Sequence, residues 1–201
     1  MARWDAQAEE RLRTAAIELF LELGYENVTV AQIADRAGLN RRTFSRYFTD
    51  KRDVLFAGSE RLPGLLVEAL SGADPELSPF EALLTALGDV GAMLGAQVAL
   101  HAAQRREVIA RSPELQERGR TKFAAVADAL AAELVRRGSQ AASATLLADV
   151  AVAIFRTGFD RWVDNPGDDD LAACLRKAGA ELADAVATGH AERVTHRRPD
   201  E

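Results

Sequence analysis

A chain of 201 residues, 48% of them hydrophobic, can bury a sizeable core as one large domain or as a small domain joined to a larger one, with no metal or disulfide to hold it. Its single cysteine, Cys174, excludes an internal disulfide, and no segment sets Cys, His and carboxylates at metal-ligand spacing, so no cofactor is expected and a reducing compartment fits. A formal net charge of −6 argues against a protein that coats nucleic acid over its whole surface, while leaving room for a local basic patch.

Met1-Ala2-Arg3-Trp4-Asp5 has no apolar run after its charges, and no uncharged stretch approaches the roughly 20 residues of a membrane span. A cytoplasmic protein without membrane association is the expectation. Alanine is abundant, β-branched runs are few, and glycine and proline fall mainly between periodic apolar stretches, which predicts an all-α protein. Leu12, Ala15, Ala16, Leu19, Phe20 and Leu23 mark one face of a first helix over about 5–23, with Gly24 as its stop. Thr29 caps a short second helix that turns Val30, Ile33, Ala34 and Ala37 inward, and Gly38 supplies the tight turn after it. Asn40 caps a third helix, in which Phe44 and Phe48 share the inward face and Arg41, Arg42, Ser45 and Arg46 fall largely on the other. A fourth start follows at Asp50. Further breaks come at Pro63-Gly64, Ser71–Pro75, Ser112-Pro113, Gly138-Ser139 and Asn165–Gly167, with four or five longer helices between them. The stretch 79–111 is long for one helix, and Gly88, Gly91 and Gly95 are candidate points of bending or division. The charged segment from Glu192 is expected to be disordered.

Two short helices around a glycine turn, the second presenting arginines and hydroxyls, form a helix-turn-helix with a candidate recognition helix. Between Arg36 and Arg52 the chain holds Arg36, Arg41, Arg42, Arg46, Lys51 and Arg52 against Asp50 alone, a net of +5 inside an acidic protein. A helix fits the major groove of B-DNA, where arginine offers bidentate donors to base edges. Arg41, Arg42 and Arg46 would supply charge and donors, and Thr29, Thr43, Ser45 and Tyr47 short hydroxyl contacts.

The run from Leu12 to Leu55, LRTAAIELFLELGYENVTVAQIADRAGLNRRTFSRYFTDKRDVL, resembles the DNA-binding domain of the TetR family of bacterial regulators. The match falls at Ala16, Phe20, Gly24-Tyr25, Thr29, Ile33-Ala34, Ala37-Gly38, Phe48, Lys51 and Leu55. The resemblance implies a helix-turn-helix DNA-binding domain over 1–50, a larger helical ligand-binding and dimerisation domain over 51–190, and a tail over 191–201. It also implies a homodimer that binds double-stranded operator DNA, usually as a repressor released by a small-molecule effector. Thr29 and Lys51 match phosphate-contacting positions, and Arg41, Arg42, Thr43, Ser45, Arg46 and Tyr47 match DNA-facing ones. Ser45 departs from the pattern, because an aromatic residue commonly stands there, which implies a different sequence preference.

In the remaining chain, Phe155, Phe159, Trp162, Leu175 and Leu182 lie on the apolar stripes of two late helices, and the resemblance implies that these helices meet their symmetry mates, with Gly158 permitting close approach. Met93, Gln97, His101 and Arg105, each four apart, are candidates for one wall of an effector cavity, with Phe155 as an apolar candidate. The segment beginning RREVIARSPELQERGR looks like that of an actinobacterial subset of TetR-like proteins, some similar to acyl-coenzyme A sensors, which suggests an acyl-coenzyme A effector. An activator of the same fold, a helical enzyme and a protein-interaction module are the alternatives. Catalysis is not expected, since no nucleophile elbow or phosphate-cradling glycine loop is present and His101, His190 and His196 are the only imidazoles.

Overall fold

The computed structural model describes residues 2–56, 59–98, 101–165 and 167–195. Among these residues the regular elements are all helical. They run α1 (Ala2–Leu23), a 3-10 turn (Tyr25–Asn27), α2 (Val30–Arg36), α3 (Arg41–Tyr47), α4 (Asp53–Phe56), a second 3-10 turn (Ser59–Arg61), α5 (Leu62–Gly72), α6 (Pro79–Val98), α7 (Ala102–Ala110), α8 (Pro113–Arg136), α9 (Ala141–Asp164) and α10 (Leu171–Thr195). The chain breaks read from sequence fall at or near these helix ends, with two instructive exceptions. Pro63 lies inside the first turn of α5, where a residue without an amide proton removes no helical hydrogen bond. The long stretch 79–111 divides after Val98, and α6 runs unbroken through its three glycines.

Packing explains why those glycines do not break α6. A Cβ on Gly91 would lie 2.7 Å from Leu175 Cδ1 and 3.1 Å from Ala172 Cα, so the missing side chain is what lets α10 approach α6. Gly158 of α9 serves the same purpose from another side, where a Cβ would stand 2.9 Å from Leu175 Cα. Leu175 is thereby sealed inside its own chain at 1% exposure. This side chain, a sequence candidate for the subunit interface, packs between α6 and α9 of its own chain. Gly158 likewise admits α10 of the same chain.

The helices gather into two compact units, Met1–Pro63 with Val98–Ala125, and Gly64–Gln97 with Val126–Glu201. This differs from a linear division at residue 50. In the first unit Val108 of α7 and Leu115 of α8 join the core built by Leu12, Ile17, Phe20, Ile33, Phe44 and Leu55, at 2% and 0% exposure. Burial of those two apolar side chains keeps a later part of the chain with the helix-turn-helix. In the second unit α9 is apolar enough by length and composition to cross a membrane, with a mean hydropathy of 1.4 over its most apolar window. Its buried residues, Ala144, Ala148, Ala151, Ile154, Phe155 and Gly158, repeat at three- and four-residue spacing, the pattern of a bundle helix covered on one side. Helix α10 extends to Thr195, so the first residues of the segment expected to be disordered are helical. Residues 196–201, including His196, lie outside the described residues.

Replacing Gly158 by alanine is expected to destabilise the protein by about 1–3 kcal/mol, because the clash is with backbone as well as side chain. Gly119, also within a helix, has nothing within 4 Å of its would-be Cβ. Gly119→Ala should therefore leave the melting temperature unchanged or raise it, and calorimetry of the two variants side by side checks the contrast.

Candidate DNA-binding site

Helix α1 provides the floor of the site. Its residues Leu12, Ala16, Ile17 and Phe20 are at most 2% exposed, and α2 and α3 lie in the same core. Phe44 and Phe48 of the α3 segment are 1% and 2% exposed, with ring centroids 5.4 Å apart. Anchoring that face leaves Arg41, Arg42, Ser45 and Arg46 exposed on the opposite one, while Thr43 and Tyr47 are half-buried between.

The turn is fixed from both ends. Thr29 and Gln32 form a reciprocal capping box, in which the Gln32 amide donates to Thr29 Oγ1 at 3.3 Å and the Thr29 amide to Gln32 Oε1 at 2.8 Å. Asn40 Oδ1 accepts from the Thr43 amide at 2.8 Å and from the Thr43 hydroxyl at 3.1 Å. Gly38 between them takes φ +63°, a left-handed conformation that a Cβ would strain. A guanidinium nitrogen of Arg11 on α1 donates to the Ala37 carbonyl. The sequence gives the local signals for these caps, but nothing in it points to Arg11.

The basic stretch divides sharply once its partners are visible. Arg36 is spent on α1, donating to Glu22 at 2.8 and 3.0 Å with Glu18 at 3.6 Å, and the hydrogen bond from Arg36 holds the Glu22 carboxyl below its ordinary pKa. Arg52 Nε donates to Asp50 at 2.9 Å and Nη1 to Glu114 at 3.2 Å. Burial acts to raise the Asp50 carboxyl, but Arg52 and the amides of Asp53 and Arg52 together hold it below the usual carboxylate value. Lys51 donates to the carbonyls of Tyr25, Val28 and Glu26 at 2.7, 3.0 and 3.3 Å, and its ammonium lies 4.2 Å from the Tyr25 ring centroid. That uses all three ammonium donors on the turn between α1 and α2. Arg46 stacks over Tyr47 at 4.8 Å and donates to its hydroxyl. Among the described residues, no carboxylate pairs with exposed Arg41 or Arg42. The excess positive charge of the stretch therefore sits on α3.

Of the effector candidates, Met93 and Gln97 lie on α6 in the second unit, while His101 just before α7 and Arg105 on α7 lie in the first. Met93 is 49% exposed, and the Gln97 side chain lies outside the described residues. His101 is engaged within the first unit, with Nε2 2.9 Å from Glu10 Oε1 and 3.2 Å from Thr14 Oγ1 and Nδ1 3.1 Å from Gln104 Oε1. Arg105 is half-buried on α7. Phe155 is buried in the second unit and stacks on Phe159 at 6.2 Å, and Phe159 in turn meets Trp162 at 5.6 Å. Phe159, Trp162 and Leu182 are half-buried within the single chain.

Comparison with known proteins decides the family. Residues 12–57 match the model of bacterial regulatory proteins of the tetR family, and residues 77–187, more than half of the chain, match the MftR C-terminal domain. The chain belongs to the TetR family. This TetR-family chain is 27% identical to MftR of Mycobacterium tuberculosis, assigned as a mycofactocin biosynthesis transcriptional regulator, over 87% of the chain and 86% of that protein. It is 34% identical to the HTH-type transcriptional regulator TcmR of Streptomyces glaucescens over 54% of the chain, a match spanning only 50% of TcmR. Among solved structures it is similar to the TetR-family repressor FadR of Thermus thermophilus in complex with lauroyl-CoA, at 26% identity and a TM-score of 0.51, covering 85% of this chain and 90% of that one. The protein is thus a DNA-binding transcriptional regulator.

Replacing Lys51 by methionine should lower stability by about 1–3 kcal/mol, since carbonyls that it satisfies lose their donor. Arg42→Ala, which removes an unpaired surface group, should leave the melting temperature within about 1 °C of the parent. Thermal unfolding of both variants tests whether Lys51 is a tie within the fold.

Proposed function

We propose that this TetR-family chain is a homodimeric repressor that binds operator DNA through α3 of each subunit and leaves it when a small-molecule effector binds. The observation that carries the DNA contact is the exposed face of α3, where Arg41 and Arg42 have no acidic partner among the described residues and Arg46 lies over Tyr47. Arg41, Arg42, Ser45 and Arg46 read or approach base edges, Thr43 and Tyr47 flank them, and Thr29 and Lys51 sit where the backbone phosphates pass. Because the Lys51 ammonium and Thr29 hydroxyl are engaged within the protein, a phosphate contact by either side chain would require it to share or exchange its present partners.

Dimerisation is assigned to α9 and α10, with Phe159, Trp162 and Leu182 as contacts and Phe155 supporting them from within. Exposed Leu146 on α9 and Val186 on α10, at 65% and 66% exposure, support an apolar surface on these helices. The effector is assigned as an acyl-coenzyme A by likeness to the lauroyl-CoA-bound repressor. A non-enzymatic, cytoplasmic role is supported by relatives that are transcriptional regulators.

Binding of purified protein to fragments flanking its own gene, at two salt concentrations, tests the reading. Selective retention of a palindromic fragment that weakens steeply with salt is the expected result, and retention no better than random DNA would overturn it. Arg41→Ala and Arg46→Ala should each weaken operator binding by about 1–3 kcal/mol while leaving the dimer intact in light scattering. Trp162→Glu should do the reverse in origin, yielding a folded monomer in the same light-scattering measurement, because it places a charge in the proposed apolar interface.

A further inference from the structure

Tyr47 is the last residue of α3, and its ring is half-buried against the core that holds the helix. The ring of Phe48, 2% exposed, lies 6.5 Å from it between centroids and is itself 5.4 Å from Phe44. The Arg13 guanidinium of α1 lies over Phe48 at 5.9 Å. Packing therefore fixes the Tyr47 ring, and the exposed side chain of Arg46 folds back onto it. The guanidinium carbon of Arg46 stands 4.8 Å from the Tyr47 ring centroid, and its Nη2 donates to the Tyr47 hydroxyl. Among the described residues, neither Arg41 nor Arg42 has a ring or a hydroxyl against its guanidinium, although both are exposed on the same helix.

An exposed arginine samples many rotamers, and ordering it at the moment of binding costs entropy. A guanidinium already seated on a packed ring has met much of that cost before DNA arrives. The two contacts also use different parts of the group. Stacking on an aromatic ring engages the face of the guanidinium, whereas hydrogen bonds to a guanine edge use the N–H donors in its plane. The bond to the Tyr47 hydroxyl engages one of those donors, and a bidentate bond to guanine needs two of the several that the planar fork presents. Holding Arg46 on Tyr47 is thus compatible with reading a base.

We infer that Tyr47 is a positioning residue, which holds the Arg46 guanidinium for a bidentate contact with a guanine edge and so sets the base preferred at one position of each operator half-site. Tyr47 acts through Arg46, not through a bond of its own to a phosphate. This rests on the docking of α3 proposed above and adds to it the residue that orients one of its readers.

The test uses the full chain and a pool of random-sequence duplex DNA, from which the parent selects its preferred site. Affinities for that site and for its single-base variants are then measured for the parent, Arg46→Ala, Tyr47→Phe and the double variant. Tyr47→Phe keeps the packed ring and should melt within about 1 °C of the parent. Arg46→Ala should weaken binding by about tenfold or more and abolish the preference at one base pair of each half-site. Tyr47→Phe should weaken binding by about threefold to tenfold and relax the preference at that same base pair. In the Arg46→Ala background it should cost nothing further, since the residue it positions is gone. An equal loss in both backgrounds would show Tyr47 acting on DNA directly and overturns the inference. A gain in affinity, which would mean that the contact competes with DNA, overturns it as well, as does an unchanged base preference in Tyr47→Phe. If Arg46→Ala alters neither affinity nor preference, the assignment of Arg46 as a reader falls first and this inference with it, an outcome distinct from a failure confined to Tyr47.

Discussion

Helix α3, the proposed recognition helix, is only seven residues long, too short to hold its own shape in water, and its orientation depends on how it is pinned. Phe44 and Phe48 supply the pin. Buried against the apolar face of α1, they fix the rotation of α3 about its axis, and that rotation places Arg41, Arg42 and Arg46 outward together. The Thr29–Gln32 box, the Asn40 cap and the left-handed Gly38 set its start and its angle to α2. An exposed arginine face thus follows from ordinary apolar burial of the opposite one.

Around this helix the protein uses positive charge in two ways. Arg11, Arg36, Lys51 and Arg52 are spent inward or sideways, on carbonyls and carboxylates that join α1, the Tyr25–Asn27 turn, α4 and α8. Exposed ion pairs such as Arg36 with Glu22 contribute little to stability on their own. Their effect is to remove competing cations from the vicinity and to hold the scaffold in register, so that the charge left for a polyanion is concentrated on one short helix.

The second unit solves a different packing problem. Its helices approach closely because Gly91 and Gly158 present bare backbone to Leu175, and Gly179 does so to Leu84. Dispersion contacts at such short range are sensitive to a single methyl group, so these glycines are structural in a way that the hinge reading of Gly91 in a long helix would miss. In α8, Leu115 is buried in the core of the first unit, and Val126, Leu130 and Leu134 are buried residues of the second.

Much of the first 56 residues was legible from sequence because its determinants are local. Apolar residues three and four apart gave α1, cap residues gave the starts of α2 and α3, and the phenylalanine pair gave the inward face of α3. The DNA-facing candidates followed from the same periodicity and from resemblance to the TetR family. Long-range partners had no such local signature. That Lys51 would reach the carbonyls of Tyr25, Glu26 and Val28, that α7 and the start of α8 would join the first core, and that Leu175 would be enclosed by its own chain are decisions of tertiary packing. Sequence by itself determined which residues can form each helix and which face of it is apolar, since both depend on spacing within a few residues. Only the tertiary structure decided which of the exposed-looking cations keep their charge available, because that depends on acids and carbonyls brought close from tens of residues away.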